Sequence, residues 1–288
     1  MEFKDKFIGF IDILGFKQLV KAAESGTGIP LKELLAMLKE FGSTEQRTKF
    51  EKYGPTTCPQ AKHHQRDLDF RITQISDCTI VSSEVSPAGV INLINHCGGS
   101  IVGLMVKGIM CRGYITRGLV YHTEDQVIGS GYQMAYENEA NVDAFKRTAD
   151  ERGTPFVEID PVVCNYVKNC GDSCVKEMFS RHVKDDGDVV ALFPFKMLAH
   201  SFMIAGFGHW FFDAEKEKKA NQNMRLSLEQ LKERVMAFVD KSNPSAVKKA
   251  DYYVQALNAQ SALCDNIDDL IEKLNSSFPP NPPSPGQI

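Results

Sequence analysis

The stretch Phe7-Ile8-Gly9-Phe10-Ile11-Asp12-Ile13-Leu14-Gly15-Phe16 decides the fold. An apolar run of strand length ends in one carboxylate, a short turn with glycine follows, and a helical pattern opens at Phe16. An Asp at a strand end stands at the sheet rim, where its oxygens suit a hard divalent cation. The amides of Ile13, Leu14, Gly15 and Phe16 then lie near a helix N-terminus, a natural seat for phosphate. A cation ligand beside a phosphate seat points to nucleotide chemistry. The plainer reading is a core strand whose Asp12 caps the following helix.

A second carboxylate shifts that balance. Arg71-Ile72-Thr73-Gln74-Ile75-Ser76-Asp77-Cys78-Thr79-Ile80-Val81 reads as two short β-branched strands meeting around Ser76-Asp77. Asp77 at this hairpin tip is expected to face Asp12 across neighbouring strands. Two carboxylates completed by substrate phosphates are the usual way to hold Mg²⁺ or Mn²⁺. The plainer reading of Asp77 is a turn residue bonding its own backbone.

Outward from these two points the period alternates between 2 and 3.6, as an α+β or α/β domain requires. Phe7 to Asp12 is the first strand; 16–23 and 30–41 are helices. Residues 88–106 form a helix whose Gly98-Gly99 is expected to let it pack closely on the sheet. Strands follow at 110–121, 127–128 and 154–159, with a helix at 133–148. This order is that of a ferredoxin-like, cyclase or polymerase-palm sheet. Further on, 188–195 and 206–212 read as strands, with Trp210-Phe211-Phe212 the most aromatic segment. Residues 226–239 and 245–274 are helical. The catalytic domain is expected over 1–215, with an inserted loop at 43–67 that holds His63 and His64. A helical extension spans 216–275, and 276–288 is a disordered, Pro-rich tail.

The chain of 288 residues carries 37 acidic against 33 basic side chains, a net charge of −4 that offers no domain-wide basic surface for nucleic acid. No apolar run approaches about 18 residues and Met1-Glu2-Phe3-Lys4-Asp5-Lys6 lacks a signal pattern, so a cytoplasmic protein with no membrane span is expected. The eight cysteines read as reduced thiols. Cys78, Cys97 and Cys111 fall in apolar core patterns, and Cys164, Cys170 and Cys174 lack zinc-site spacing.

Asp12-Ile13-Leu14-Gly15-Phe16 resembles the first metal motif of class III nucleotidyl cyclases, and Ile75-Ser76-Asp77 resembles the second. Arg112-Gly113-Tyr114-Ile115-Thr116-Arg117-Gly118-Leu119-Val120 looks like the next strand of that fold. The segment from Gly129-Ser130-Gly131 to Glu139 looks like its following turn and helix. The resemblance covers about residues 5–145 and is nearest to the pyrimidine nucleotide cyclases of bacterial Pycsar anti-phage systems. It implies a ferredoxin-like cyclase sheet flanked by helices and conversion of UTP to cyclic UMP, or of CTP to cyclic CMP. It also implies two Mn²⁺ or Mg²⁺ ions per site, a homodimer with shared sites and a downstream effector protein activated by the cyclic nucleotide.

The resemblance makes Asp12 and Asp77 catalytic, with the Ile13 carbonyl as a further metal ligand. Leu14, Gly15 and Phe16 would cradle the phosphates. Thr73 stands where adenylyl cyclases carry a base-reading Lys, and Glu137 where they carry a transition-state Arg. Thr73, Arg112, Tyr136 and Glu137 are the remaining substrate-binding candidates. Salt bridging is the plain alternative for Arg112, and ordinary packing for Tyr136. Loss of both cations keeps a second reading open, a silent cyclase-like module that binds nucleotide and regulates a partner. A palm-type nucleotidyltransferase comes last, since its Gly-Gly-Asp/Glu-Phe hairpin is missing.

Overall fold

Strand β1 (Lys4–Ile13) owes its central place to apolar residues on both faces. Phe7, Ile11 and Ile13 enter one hydrophobic cluster, while Ile8 and Phe10 enter another on the opposite side. The computed structural model describes residues 1–42, 68–198 and 212–277. After β1 come α1 (Phe16–Glu24), α2 (Leu31–Gly42), β2 (Phe70–Ile75), β3 (Cys78–Glu84) and α3 (Pro87–Val106). Next are β4 (Cys111–His122), β5 (Val127–Ile128), α4 (Ser130–Glu139), β6 (Val157–Ile159), α5 (Pro161–Asn169) and α6 (Ser173–His182). The chain continues through β7 (Val183–Asp185), β8 (Val190–Leu192), a 3₁₀ turn (Pro194–Leu198), α7 (Ala214–Ala237) and α8 (Pro244–Ser277).

The sheet order is β2-β3-β1-β4-β6-β8-β7, with β5 paired to β4. β1 is antiparallel to both β3 and β4, and β2 is antiparallel to β3. That quartet has the order and directions of a split βαβ, ferredoxin-like sheet, and β6 extends it by pairing parallel to β4. The chain is therefore α+β, a sheet flanked by helices with a helical C-terminal extension, as expected. His63, His64, the 43–67 insertion, the expected strand 206–212 except Phe212, and the Pro-rich tail from 278 on lie outside the described residues. Ser276 and Ser277, expected in the disordered tail, instead close the last helix.

Helix α3 is the core helix of the first cluster. Ser86 caps it by accepting the Gly89 N–H at 2.9 Å, and Pro87 opens its first turn. Contrary to expectation, it is long and apolar enough to cross a membrane by length and composition. Yet Val90, Leu93, Ile94, Cys97, Ile101 and Leu104 are all buried against the sheet and helices. Gly98 does not face the sheet either: a Cβ there would meet the His182 ring of α6 at 3.2 Å, and Gly99 meets nothing. Expected helix 133–148 ends at Glu139, because the chain past it turns to hand the Asp143 N–H to Glu158 and the Thr154 and Gly153 N–H groups to Val142. Expected strand 154–159 is only Val157–Ile159, and 188–195 only Val190–Leu192.

His96 on α3 lies edge-on to Phe70, with ring centroids 5.6 Å apart, and its Nε2 has no hydrogen-bond partner among the described residues. Burial pulls its pKa down to about 4. Between the ordinary value of 6.5 and about 4 the unfolded chain takes up the proton first, so stability falls as pH falls through that window. His96→Phe is expected to lose less stability than wild type between pH 7 and pH 5, by about 2 kcal/mol. Urea midpoints at the two pH values measure the difference, and equal losses would contradict it.

The extension joins the sheet through a second core. Leu228, Leu231 and Val235 of α7 and Tyr253 and Leu257 of α8 pack with Met110, Tyr114, Phe156 and Phe193. The Cys111 N–H donates to Tyr253 Oη at 3.4 Å, and Arg234 Nη1 donates to the Val106 carbonyl at 2.7 Å. Helices α7 and α8 thus clasp the rim where β1 ends and β4 begins.

Candidate active site

Three neighbouring strands meet at that rim. Asp12 is the register partner of Cys78 on β3 and of Arg112 on β4. The next amides of the chain are stitched to both sides: Ile13 N–H donates to the Asp77 carbonyl at 3.1 Å, and Leu14 N–H to the Met110 carbonyl at 2.9 Å. Ser76, with φ of 55°, turns the β2–β3 hairpin in two residues and leaves Asp77 beside Asp12. The Asp77 carboxylate makes no hydrogen bond within the described residues, so it does not act as a self-bonding turn residue.

Asp12 does not cap α1. The N-cap is Gly15, which is left-handed at φ 79° and gives no side-chain cap to the helix. A non-glycine residue there would be strained, and the uncapped first turn presents its amides to the rim. Asp12 instead belongs to a charged cluster. Burial, Asp77 and Glu139 push its pKa up to about 7, against the opposing pull of Arg112. The Cys78 thiol is pushed up to about 11 by burial and by the same two aspartates.

This concentration of negative charge fits a divalent cation. Asp12, Asp77 and the Ile13 carbonyl offer hard oxygen donors of the kind Mg²⁺ and Mn²⁺ prefer. Among the described residues no group of three or more His, Cys, Asp or Glu forms a complete cage. The set therefore suits ions whose remaining ligands come from water and substrate phosphates.

The other candidates divide. Leu14 and Gly15 line a cavity of about 180 Å³ at the start of α1, and Phe16 begins that helix. Arg112 is at the rim, but its guanidinium is paired with the Glu139 carboxylate of α4. Tyr136 is 57% exposed and meets Phe10 edge-on at 5.4 Å. Glu137 is exposed on the same helix. Thr73 stands apart, in register with Ile80 and Phe10 rather than with Asp12. Its hydroxyl bonds His122 Nε2 at 2.9 Å and reaches the Thr123 carbonyl at 3.4 Å. Two members of the cluster were given no role in the sequence reading. Glu139 lies at i+4 from Ala135 on the buried face of α4, a spacing that could have flagged it. Lys249 comes from α8 and had no local signal.

No protein-family model and no curated protein matches the chain. Among solved structures, it is similar to the catalytic core of a rhodopsin-guanylyl cyclase with converted specificity in complex with ATPalphaS. That match has 15% identity, covers 59% of this chain and 83% of that one, and has a TM-score of 0.37. It is also similar to a bacterial light-regulated adenylyl cyclase, at 14% identity over 66% of this chain and 51% of that one, with a TM-score of 0.37. The chain thus spans about half the length of the second. Overlaps this loose add no weight; the strand order and the rim residues carry the functional reading.

Proposed function

We propose that the protein is a nucleotidyl cyclase that converts UTP to 3′,5′-cyclic UMP and pyrophosphate. One observation carries this reading: Asp12 and Asp77 meet at the rim of a ferredoxin-like strand quartet, directly before the uncapped first turn of α1. Asp12, Asp77 and the Ile13 carbonyl would hold two Mn²⁺ or Mg²⁺ ions, which would supply Lewis-acid activation of the ribose 3′-hydroxyl and charge neutralisation for the triphosphate. The amides of Gly15 and Phe16 receive the β- and γ-phosphates. The Leu14 amide, expected to join them, is already given to the Met110 carbonyl, so Leu14 contributes only to the wall of the cavity. The 3′-oxygen attacks the α-phosphorus in line, its proton leaves to solvent, and the bond to the pyrophosphate oxygen breaks.

Tyr136 and Glu137 are the base-side residues in this reading, with Thr73 the more remote candidate. UTP is preferred over CTP because Glu137 is the single carboxylate proposed at the base edge, and CTP is the alternative. A homodimer with shared sites is supported by the exposed apolar side chains Met134 and Tyr136 on α4, beside the site. The resemblance to anti-phage cyclases supports a second messenger that activates a separate effector. Pyrophosphate release from ATP, GTP, CTP and UTP, each with Mn²⁺, tests the substrate. UTP is expected to exceed both purines at least about tenfold, which a single well-placed polar contact in a base pocket can supply. Equal rates on all four would contradict a base-selective pocket. The pairing of Arg112 with Glu139 favours the silent nucleotide-binding module as second reading, and binding without pyrophosphate release would select it.

A further inference from the structure

We propose that Lys249, on the C-terminal helix α8, is a substrate-contacting residue that binds the β- and γ-phosphates of the nucleotide at the Asp12–Asp77 site. The inference rests on the nucleotide reading of that site and adds a binding group from outside the cyclase-like half of the chain.

Lys249 lines the 180 Å³ cavity together with Leu14 and Gly15 of the β1–α1 turn, Gln18 of α1, Asn243 of the α7–α8 turn and Ser245 at the start of α8. It therefore stands on the side of the site where Gly15 opens α1. The cavity is closed on one wall by Met110 and Val239, buried members of the core that fastens α7 and α8 to the sheet. Its position is thus held by packing, and Tyr253, one turn further along α8, is anchored to the first residue of β4.

The electrostatics agree with that geometry. Lys249 is half-buried and lies within Coulombic reach of Arg112, Glu139 and Asp12. Burial lowers its pKa, with Arg112 adding to the effect and the two carboxylates opposing it. Yet Lys249 makes no hydrogen bond or salt bridge within the described residues. The neighbouring Lys248 behaves differently, bridging to Glu151 at 2.9 Å. A half-buried ammonium with no direct partner among the described residues, facing a cavity lined by Gly15 and Gln18 at the start of α1, is built to meet an anion that is supplied from outside. Arg112 is already committed to Glu139, so among the described residues of this cluster Lys249 is the cation left available for phosphate. It would also stabilise the charge that develops on the leaving pyrophosphate.

The test is isothermal titration of the full chain with α,β-methylene-UTP and, independently of the base, with inorganic triphosphate, both with Mn²⁺. Wild type, Lys249→Met, Lys249→Arg and Lys248→Met are compared, with thermal melts to verify folding. Lys249→Met is expected to bind both probes about ten- to hundredfold more weakly, the size of one charge-assisted hydrogen bond. Lys249→Arg should recover most of that loss, and Lys248→Met should bind as wild type does. Wild type binding with Lys249→Met equally tight or tighter would overturn the assignment and leave the cyclase reading standing. Lys249-dependent binding with no cyclic product from any triphosphate would uphold the assignment and sink the cyclase reading. Wild type that binds neither probe would overturn both.

Discussion

Asp77→Ala is expected to lower the rate of cyclic-nucleotide formation by about a thousandfold or more, because in the proposed reaction it removes half of the carboxylate pair that would hold the charge-neutralising cations. Asp12→Asn should do the same, and the two effects should not add, since either loss disables the same ion-binding unit. A structural carboxylate would respond differently. Asp12 has its pKa raised to about 7 from an ordinary 3.8 by burial, Asp77 and Glu139. Across that window the folded protein holds a proton that the unfolded chain has released, so metal-free stability falls as pH rises from about 4 to about 7. Asp12→Asn should flatten this slope and stabilise the metal-free protein above pH 7 while abolishing turnover. Thermal melts with chelator at pH 5 and pH 8 measure it. A variant that melts lower than wild type at pH 8 would mark Asp12 as a fold-building residue.

The second large effect concerns the clasp. Tyr253 is 1% exposed, packs edge-on to Phe195 at 5.0 Å and accepts the Cys111 N–H. Tyr253→Ala is expected to cost about 3–5 kcal/mol of unfolding free energy, from lost burial and the cavity left behind. Tyr253→Phe should cost about 1 kcal/mol, the worth of one hydrogen bond. Urea denaturation followed by far-UV circular dichroism gives both values. A loss below about 1 kcal/mol for Tyr253→Ala would show that α8 is only loosely attached, and would remove the packing that positions Lys249.

The elements around the rim were legible because each carries a strong local signal. β1 is a continuous apolar run closed by Asp12, the β2–β3 hairpin has β-branched residues on both sides of Ser76-Asp77, and α3 repeats its apolar residues at three and four. The segment from 161 to 185 was not read, and it holds α5, α6 and β7. α5 buries only Val163 and Val167, and α6 only Val175 and Phe179, too few for a period to show. The two aspartates of the site were visible for the same local reason, each ending or turning a strand. Glu139 and Lys249 were not, because their roles depend on where α4 and α8 dock. A Lys-Lys pair near the start of an amphipathic helix looks like a solvated face until the fold brings one of the two lysines to the Gly15 turn.

Mass spectrometry of the products formed from UTP with Mn²⁺ by purified protein tests the central claim most directly, with Asp77→Ala as the control. The account predicts 3′,5′-cyclic UMP together with pyrophosphate from wild type, and intact UTP from the variant. A linear or dinucleotide product, or a cyclic product that persists in Asp77→Ala, would contradict it.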